Sequence, residues 1–159
     1  IKIQCDNPAS VGADIICACV AAKQLYGCPA LIIDMGTATK MMVVDDKGAF
    51  IGVSIIPGVS MGLNALSSGT AQLPQVSLRQ PPSVIGKNTA DCMRSGVLYG
   101  NASMLDGMIC RMNKGCGETL PVVITGGAAS MVIPYCDSKM TVDPHLVLKG
   151  LHLLYRRNN

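Results

Sequence analysis

Ala30-Leu31-Ile32-Ile33-Asp34-Met35-Gly36-Thr37-Ala38-Thr39 decides the fold. Its unbroken apolar run predicts a strand buried on both faces, and the acid followed by glycine and hydroxyl residues predicts a tight polar turn at its end. A strand covered on both sides belongs to an α/β layer structure. Downstream, Lys40 to Asp45 and Ala49 to Ile55 read as two more strands joined by Asp46-Lys47-Gly48, which makes a hairpin. Upstream, Asn7-Pro8-Ala9-Ser10 is a turn. A helix then runs from Val11 to Gly27 with Ile16, Val20 and the stem of Lys23 on one face.

Helical periodicity returns from Pro57 to about Leu66. Pro74, Pro81 and Pro82 mark a connection, and a long helix is predicted from Thr89 to Met112 with Met93, Val97, Met104 and Met108 inward. Val122 to Thr125 is again a buried strand, followed by Gly126-Gly127 and a short helix. A last strand near Met140-Thr141-Val142 precedes a helix from Pro144 to Arg157, whose inward face is Val147, Leu151 and Leu154. The expected architecture is one α/β domain, a mixed sheet covered by helices, without internal repeats.

Composition limits the function classes. The 159 residues are 49% hydrophobic and 14% charged, which excludes disorder. Soluble domains average about 25% charged residues, so much of this surface is expected to be covered. Gly48 to Leu78 is uncharged, but Pro57, Pro74 and five glycines break it before the roughly 20 apolar residues of a membrane helix. No signal-peptide order is present at Ile1. The opening Ile1-Lys2-Ile3-Gln4, already in alternation, reads as the inside of a longer protein. Eight cysteines without a C-x-x-C pair suggest buried thiols in a reducing cytosol. The net charge of +3 comes from scattered Lys and Arg with few aromatics, which argues against nucleic acid as a partner.

Three segments offer chemistry. Asp34 at the end of a buried strand, with Gly36 and Thr37 in the following turn, suits phosphate oxygens and a neutralising cation; an ordinary β-turn uses the same residues. Asp14, in Gly12-Ala13-Asp14 at a helix start, is favoured there by the helix dipole, and it has the chemistry of a general base for a hydroxyl attacking phosphorus. Thr125-Gly126-Gly127-Ala128 permits close backbone approach to a flat ligand, or simply turns the chain from strand to helix. Ile85-Gly86-Lys87-Asn88-Thr89 leads into the long helix, with Asn88 or Thr89 as its cap.

Taken together with Ile56-Pro57-Gly58, Thr70-Ala71-Gln72-Leu73-Pro74, Ser95-Gly96 and Asp143-Pro144 through Gly150-Leu151, these segments resemble, in order and spacing, the type III pantothenate kinases. The resemblance implies an actin-like ATPase (ribonuclease H-like) half. Residues 1–28 would be the end of the N-terminal half and a connecting helix, and residues 29–159 the C-terminal actin-like α/β domain. It implies ATP-dependent phosphorylation of pantothenate, the first step of coenzyme A synthesis, with ATP and Mg2+, in a cytoplasmic homodimer paired through the long helix. Asp14 would accept the proton of the pantothenate hydroxyl, with Gly12, Ala13, Ile15 and Thr89 at the substrate. Gly36, Thr37, Gly126 and Gly127 would meet the nucleotide. Asp34 would hold a monovalent cation, potassium or ammonium.

Two departures stand out. Ile15 occupies the position where the family usually has Arg, and the family's N-terminal Asp-x-Gly-Asn-Thr phosphate loop has no counterpart here. These 159 residues alone are therefore expected to lack useful kinase activity. A non-catalytic transcriptional accessory protein of the same family is the alternative. Asp14 and Asp34 favour the enzyme, since a binding module needs neither.

Overall fold

The computed structural model describes residues 1–158; Asn159, the last residue of the expected second segment, lies outside them. Strands β1 (Lys2–Ile3), β2 (Ala30–Met35), β3 (Ala38–Val44), β4 (Ala49–Pro57), β5 (Val122–Thr125) and β6 (Thr141–Val142) form one sheet in the order β1-β4-β3-β2-β5-β6. β3 runs antiparallel to β2 and β4, whereas β1–β4, β2–β5 and β5–β6 are parallel. The sheet is mixed, as expected, with one strand more than the sequence suggests. The extra strand, β1, is two residues long and becomes a strand only by pairing with Ala49 and Phe50. Residues 1–28 thus share the sheet and the core of the rest of the chain.

Helices α1 (Ala13–Tyr26) and α5 (Leu146–Asn158) cover one face; α2 (Val59–Ser68), α3 (Thr89–Cys116) and the short α4 (Ala129–Val132) cover the other. Every residue of β2 is buried, and period-two alternation divides them. Leu31, Ile33 and Met35 pack with Val59, Leu63, Val97 and Leu105. Ala30 and Ile32 pack with Ala18, Cys19, Ala22 and Leu146. Asp34 follows on the same side as Ile32, toward α1.

The helices differ from expectation in ways with physical causes. α1 begins two residues late because a 3-10 turn at Pro8–Ser10 precedes it. α3 runs to Cys116, where Gly117 takes the left-handed conformation (φ 76) that ends it. Its buried face is Met93, Val97, Leu98, Ala102, Leu105 and Ile109, so Met104 and Met108 fall to the edge of the core, half-buried. In α5 the seam runs through Leu146 and Gly150. A Cβ on Gly150 would meet the Cys17 carbonyl, so α5 lies very close to α1, and Leu151, expected inward, is 56% exposed. Pro144 lies in the turn before α5.

A buried carboxylate locks this corner. Asp143, 2% exposed, accepts hydrogen bonds from Tyr26 Oη and Lys149 Nζ, both at 2.8 Å, and from the His145 N–H at 3.1 Å. All eight cysteines are free; Cys17 and Cys19 are buried, but Cys28, Cys92 and Cys110 are exposed, against the expectation of buried thiols. Burial pushes the Cys19 thiol up to about 12. Among the described residues no helix is long and apolar enough to cross a membrane.

Candidate active site at the carboxyl end of the central strand

The β2–β3 ladder places Lys40 directly opposite Asp34. Lys40 Nζ lies 2.8 Å from Asp34 Oδ2 and 2.5 Å from Asp14 Oδ2. One ammonium therefore joins the two acids that the sequence singled out. Asp14 stands in the first turn of α1, which crosses the sheet on the side where Asp34 and Lys40 emerge; its Oδ1 accepts the Ile15 N–H at 2.9 Å. The Lys40 and Asp34 side chains are 14% and 12% exposed, while that of Asp14 is 51% exposed, open to a substrate.

The Lys40 hydrogen bond holds the Asp14 carboxyl below its usual range, against the opposing effect of partial burial and with help from the Ile15 N–H. At neutral pH Asp14 is a carboxylate, ready to accept a proton. For Lys40, burial alone would lower the pKa, but the hydrogen bonds from Lys40 to both acids outweigh it and the net shift is upward. The ammonium stays charged.

On the other side of the β2–β3 turn is a cleft of ≈ 720 Å³, lined by Gly36, Thr37, Gly127 and Ala128 and faced by Ser60 and Asn64 of α2. Two glycines bring its walls together. Gly126 has φ +97, and a Cβ on it would lie 2.5 Å from the Met35 carbonyl carbon, so the β5 turn rests on the end of β2. The Ala128 N–H completes the contact by bonding to the Met35 carbonyl at 3.2 Å. A Cβ on Gly58 would meet the Thr37 carbonyl and come within 2.8 Å of that of Gly36, so the start of α2 presses on the same turn. A cleft of this size, with backbone and hydroxyl groups around it, suits a small polar ligand.

The predicted site residues therefore fall into two groups flanking one turn. Asp14 and Asp34 meet through Lys40, with Gly12 and Ala13 exposed beside them. Gly36, Thr37 and Gly127 line the cleft, with Gly126 behind them. Ile15 is 6% exposed and its side chain is core, so only its N–H serves the site. Thr89 is exposed at the first turn of α3 and belongs to neither group; the helix is capped instead by Asn88, whose Oδ1 accepts the Asp91 N–H at 3.0 Å. Residue type alone does not mark Lys40; its signal in the sequence is a lone charge before Met41-Met42-Val43-Val44, facing Asp34 once the hairpin register is counted.

This lysine bears on the expected monovalent cation. Asp34 is already ion-paired, and among the described residues no group of three acidic, histidine or cysteine side chains gathers to hold a metal. Two unit charges about 4 Å apart repel by about 4 kcal/mol at an effective dielectric constant of about 20. A mobile cation at the Asp34 carboxylate would meet repulsion of that order from Lys40, which offsets its attraction to Asp34 and leaves only the half-exposed Asp14 charge to draw it in. The residues present do not fit it.

Residues 1–111 match the family model of type III pantothenate kinase. This chain belongs to the type III pantothenate kinase family. Relatives bearing that name include those of Moorella thermoacetica, 43% identical over 158 residues, and Frankia alni, 42% identical over 158 residues. Each alignment covers 99% of this chain but only 62% and 63% of the relative, so the chain spans less than two thirds of these family members. Among solved structures, a protein of Campylobacter jejuni described as a Baf family transcriptional activator aligns over 98% of this chain and 68% of its own. Its TM-score is 0.66 at 21% identity. Component A of the Acidaminococcus fermentans (R)-2-hydroxyglutaryl-CoA dehydratase aligns over 86% of this chain and 64% of its own, with a TM-score of 0.51 at 16% identity. These likenesses show the fold alone, the actin-like α/β architecture with a mixed sheet and covering helices.

Proposed function

We propose that the protein to which this chain belongs phosphorylates pantothenate with ATP, giving 4'-phosphopantothenate for coenzyme A synthesis. The observation that carries this reading is the Asp14 carboxylate, ion-paired with Lys40 and half exposed, beside the turn whose far side opens into the cleft. Asp14 accepts the proton of the attacking pantothenate hydroxyl. Its lowered pKa keeps it in the acceptor form, and proton transfer completes as the new oxygen–phosphorus bond acidifies the hydroxyl.

In this reading Gly36, Thr37, Gly126 and Gly127 receive ATP, which brings Mg2+ with it; Gly36, Thr37 and Gly127 are exposed and line the cleft, and a glycine turn with a threonine hydroxyl suits phosphate and ribose oxygens. Gly12, Ala13 and the Ile15 backbone take pantothenate, and Thr89, apart from both groups, is given to the substrate by the family resemblance alone. In this reading residues 1–28 carry the chain in from the N-terminal half through a connecting helix while completing the sheet and core of this one, and residues 29–159 make up the rest of the C-terminal half. ATP is enclosed between this half and one carrying the phosphate loop. The enzyme is a cytoplasmic homodimer paired through α3. That pairing is supported by the exposed Gly96, Gly100, Ser103 and Gly107, at helical spacing along the outer side of α3, which allow two helices to approach closely.

The reading is tested by assaying the intact protein with ATP and pantothenate beside Asp14→Asn. The expected result is turnover in the first and its near loss in the second at unchanged stability. Pantothenate turnover unaffected by Asp14→Asn would remove the proton-acceptor role.

A further inference from the structure

We propose that Lys40 is the built-in cation of this site, standing in for the potassium or ammonium ion that the family resemblance leads one to expect at Asp34. The inference rests on the reading of Asp14 and Asp34 as active-site acids, and it goes beyond that reading in assigning the source of positive charge. Three observations carry it. Lys40 is the register partner of Asp34, so its ammonium is delivered to that carboxylate by backbone pairing and does not depend on a flexible loop. The same Nζ touches Asp14, so one charge serves both acids, at 2.8 Å and 2.5 Å. The side chain is largely buried, which limits competition from solvent ions.

A lysine ammonium is an alkylated ammonium ion with the same charge and with N–H donors of the same kind. Held by the strand, it needs no ion from solution, because the tether makes its local concentration independent of the buffer. The intact protein should therefore work equally well without added potassium or ammonium. Replacing Lys40 by an uncharged residue should open the site to exactly those ions that wild type ignores.

The test compares wild type, Lys40→Met and Lys40→Arg, as intact protein, in potassium, ammonium, sodium and choline chloride at equal ionic strength. Two readouts are taken: the melting temperature with binding of thallous ion followed by thallium NMR, and pantothenate phosphorylation. Wild type and Lys40→Arg should show no potassium-selective rise in melting temperature, no saturable thallous binding and no change in kcat between salts. Lys40→Met should bind thallous ion and melt higher in potassium or ammonium than in choline. Its kcat should fall by about 10²-fold in choline and recover substantially with potassium or ammonium.

Saturable thallous binding or a potassium-selective stabilisation in wild type would overturn the inference, as would a Lys40→Met protein that folds yet ignores potassium and ammonium. If Lys40→Met does not fold, the wild-type and Lys40→Arg measurements decide. If wild type turns over no pantothenate in any salt, the functional reading fails, while the melting and thallous measurements still judge Lys40 separately.

Discussion

Lys40 and Asp34 face each other across the β2–β3 ladder with 2.8 Å between ammonium and carboxylate, and the free side of that ammonium reaches Asp14 from an element 26 residues away in sequence. Local pairing builds the first contact and helix packing adds the second. One side chain forms an ion pair with both acids.

Asp14→Asn removes the proton acceptor and keeps the size of the side chain. A general base contributes about 10²–10⁴-fold, so kcat should fall within that range with KM little altered. Steady-state kinetics of the intact protein with pantothenate varied at saturating ATP separates the two constants. The melting temperature should hardly move, because Asp14 is half exposed.

Gly126 and Gly127 are neighbours with opposite expected responses. Gly126→Ala places a Cβ 2.5 Å from the Met35 carbonyl carbon at φ +97, and should lower stability by at least about 2 kcal/mol in urea unfolding. Around Gly127 a Cβ meets nothing within 4 Å, so Gly127→Ala should stay within about 0.5 kcal/mol of wild type. It should still weaken ATP binding in calorimetry, since Gly127 lines the cleft.

Ile15 separates a core role from a direct role in the site. Its side chain is buried with Ala18, Cys19 and Ile32, so Ile15→Val should cost about 0.5–1.5 kcal/mol and Ile15→Ala about 2–5 kcal/mol by chemical denaturation. The KM for pantothenate should be unchanged in Ile15→Val. A large rise in that KM at normal stability would return the side chain to the substrate site.

The Asp143 network sets an acid limit on stability. Burial alone would raise its pKa, but the hydrogen bonds from Lys149, Tyr26 and the His145 N–H outweigh it, and the folded value lies below the ordinary 3.8. A depressed carboxyl stabilises the fold fully above its unfolded pKa, and that contribution fades as pH falls from about 3.8 through the folded value. Asp143→Asn should therefore be less stable than wild type at pH 7, by about 2–4 kcal/mol, with the gap narrowing below pH of about 4. Unfolding free energies measured for both proteins across this range check the sign.

The sequence by itself determined the layered α/β class, the buried β2, the β3–β4 hairpin and the order of helices, because each rests on local periodicity and turn chemistry. It marked Asp34, Gly36, Thr37, Gly126 and Gly127, since a strand end and a glycine turn are short-range features. It even contained the Asp34–Lys40 pair, as a register waiting to be counted. Only the tertiary structure decided that Asp14 meets Lys40, that Ile15 turns inward, that Leu151 is left outside the α1/α5 seam and that Lys2–Ile3 is a strand. Those outcomes depend on which face α1 and α5 cover and on how near Gly150 lets them come. Such choices are made by packing between segments far apart in the chain, where no local pattern reaches.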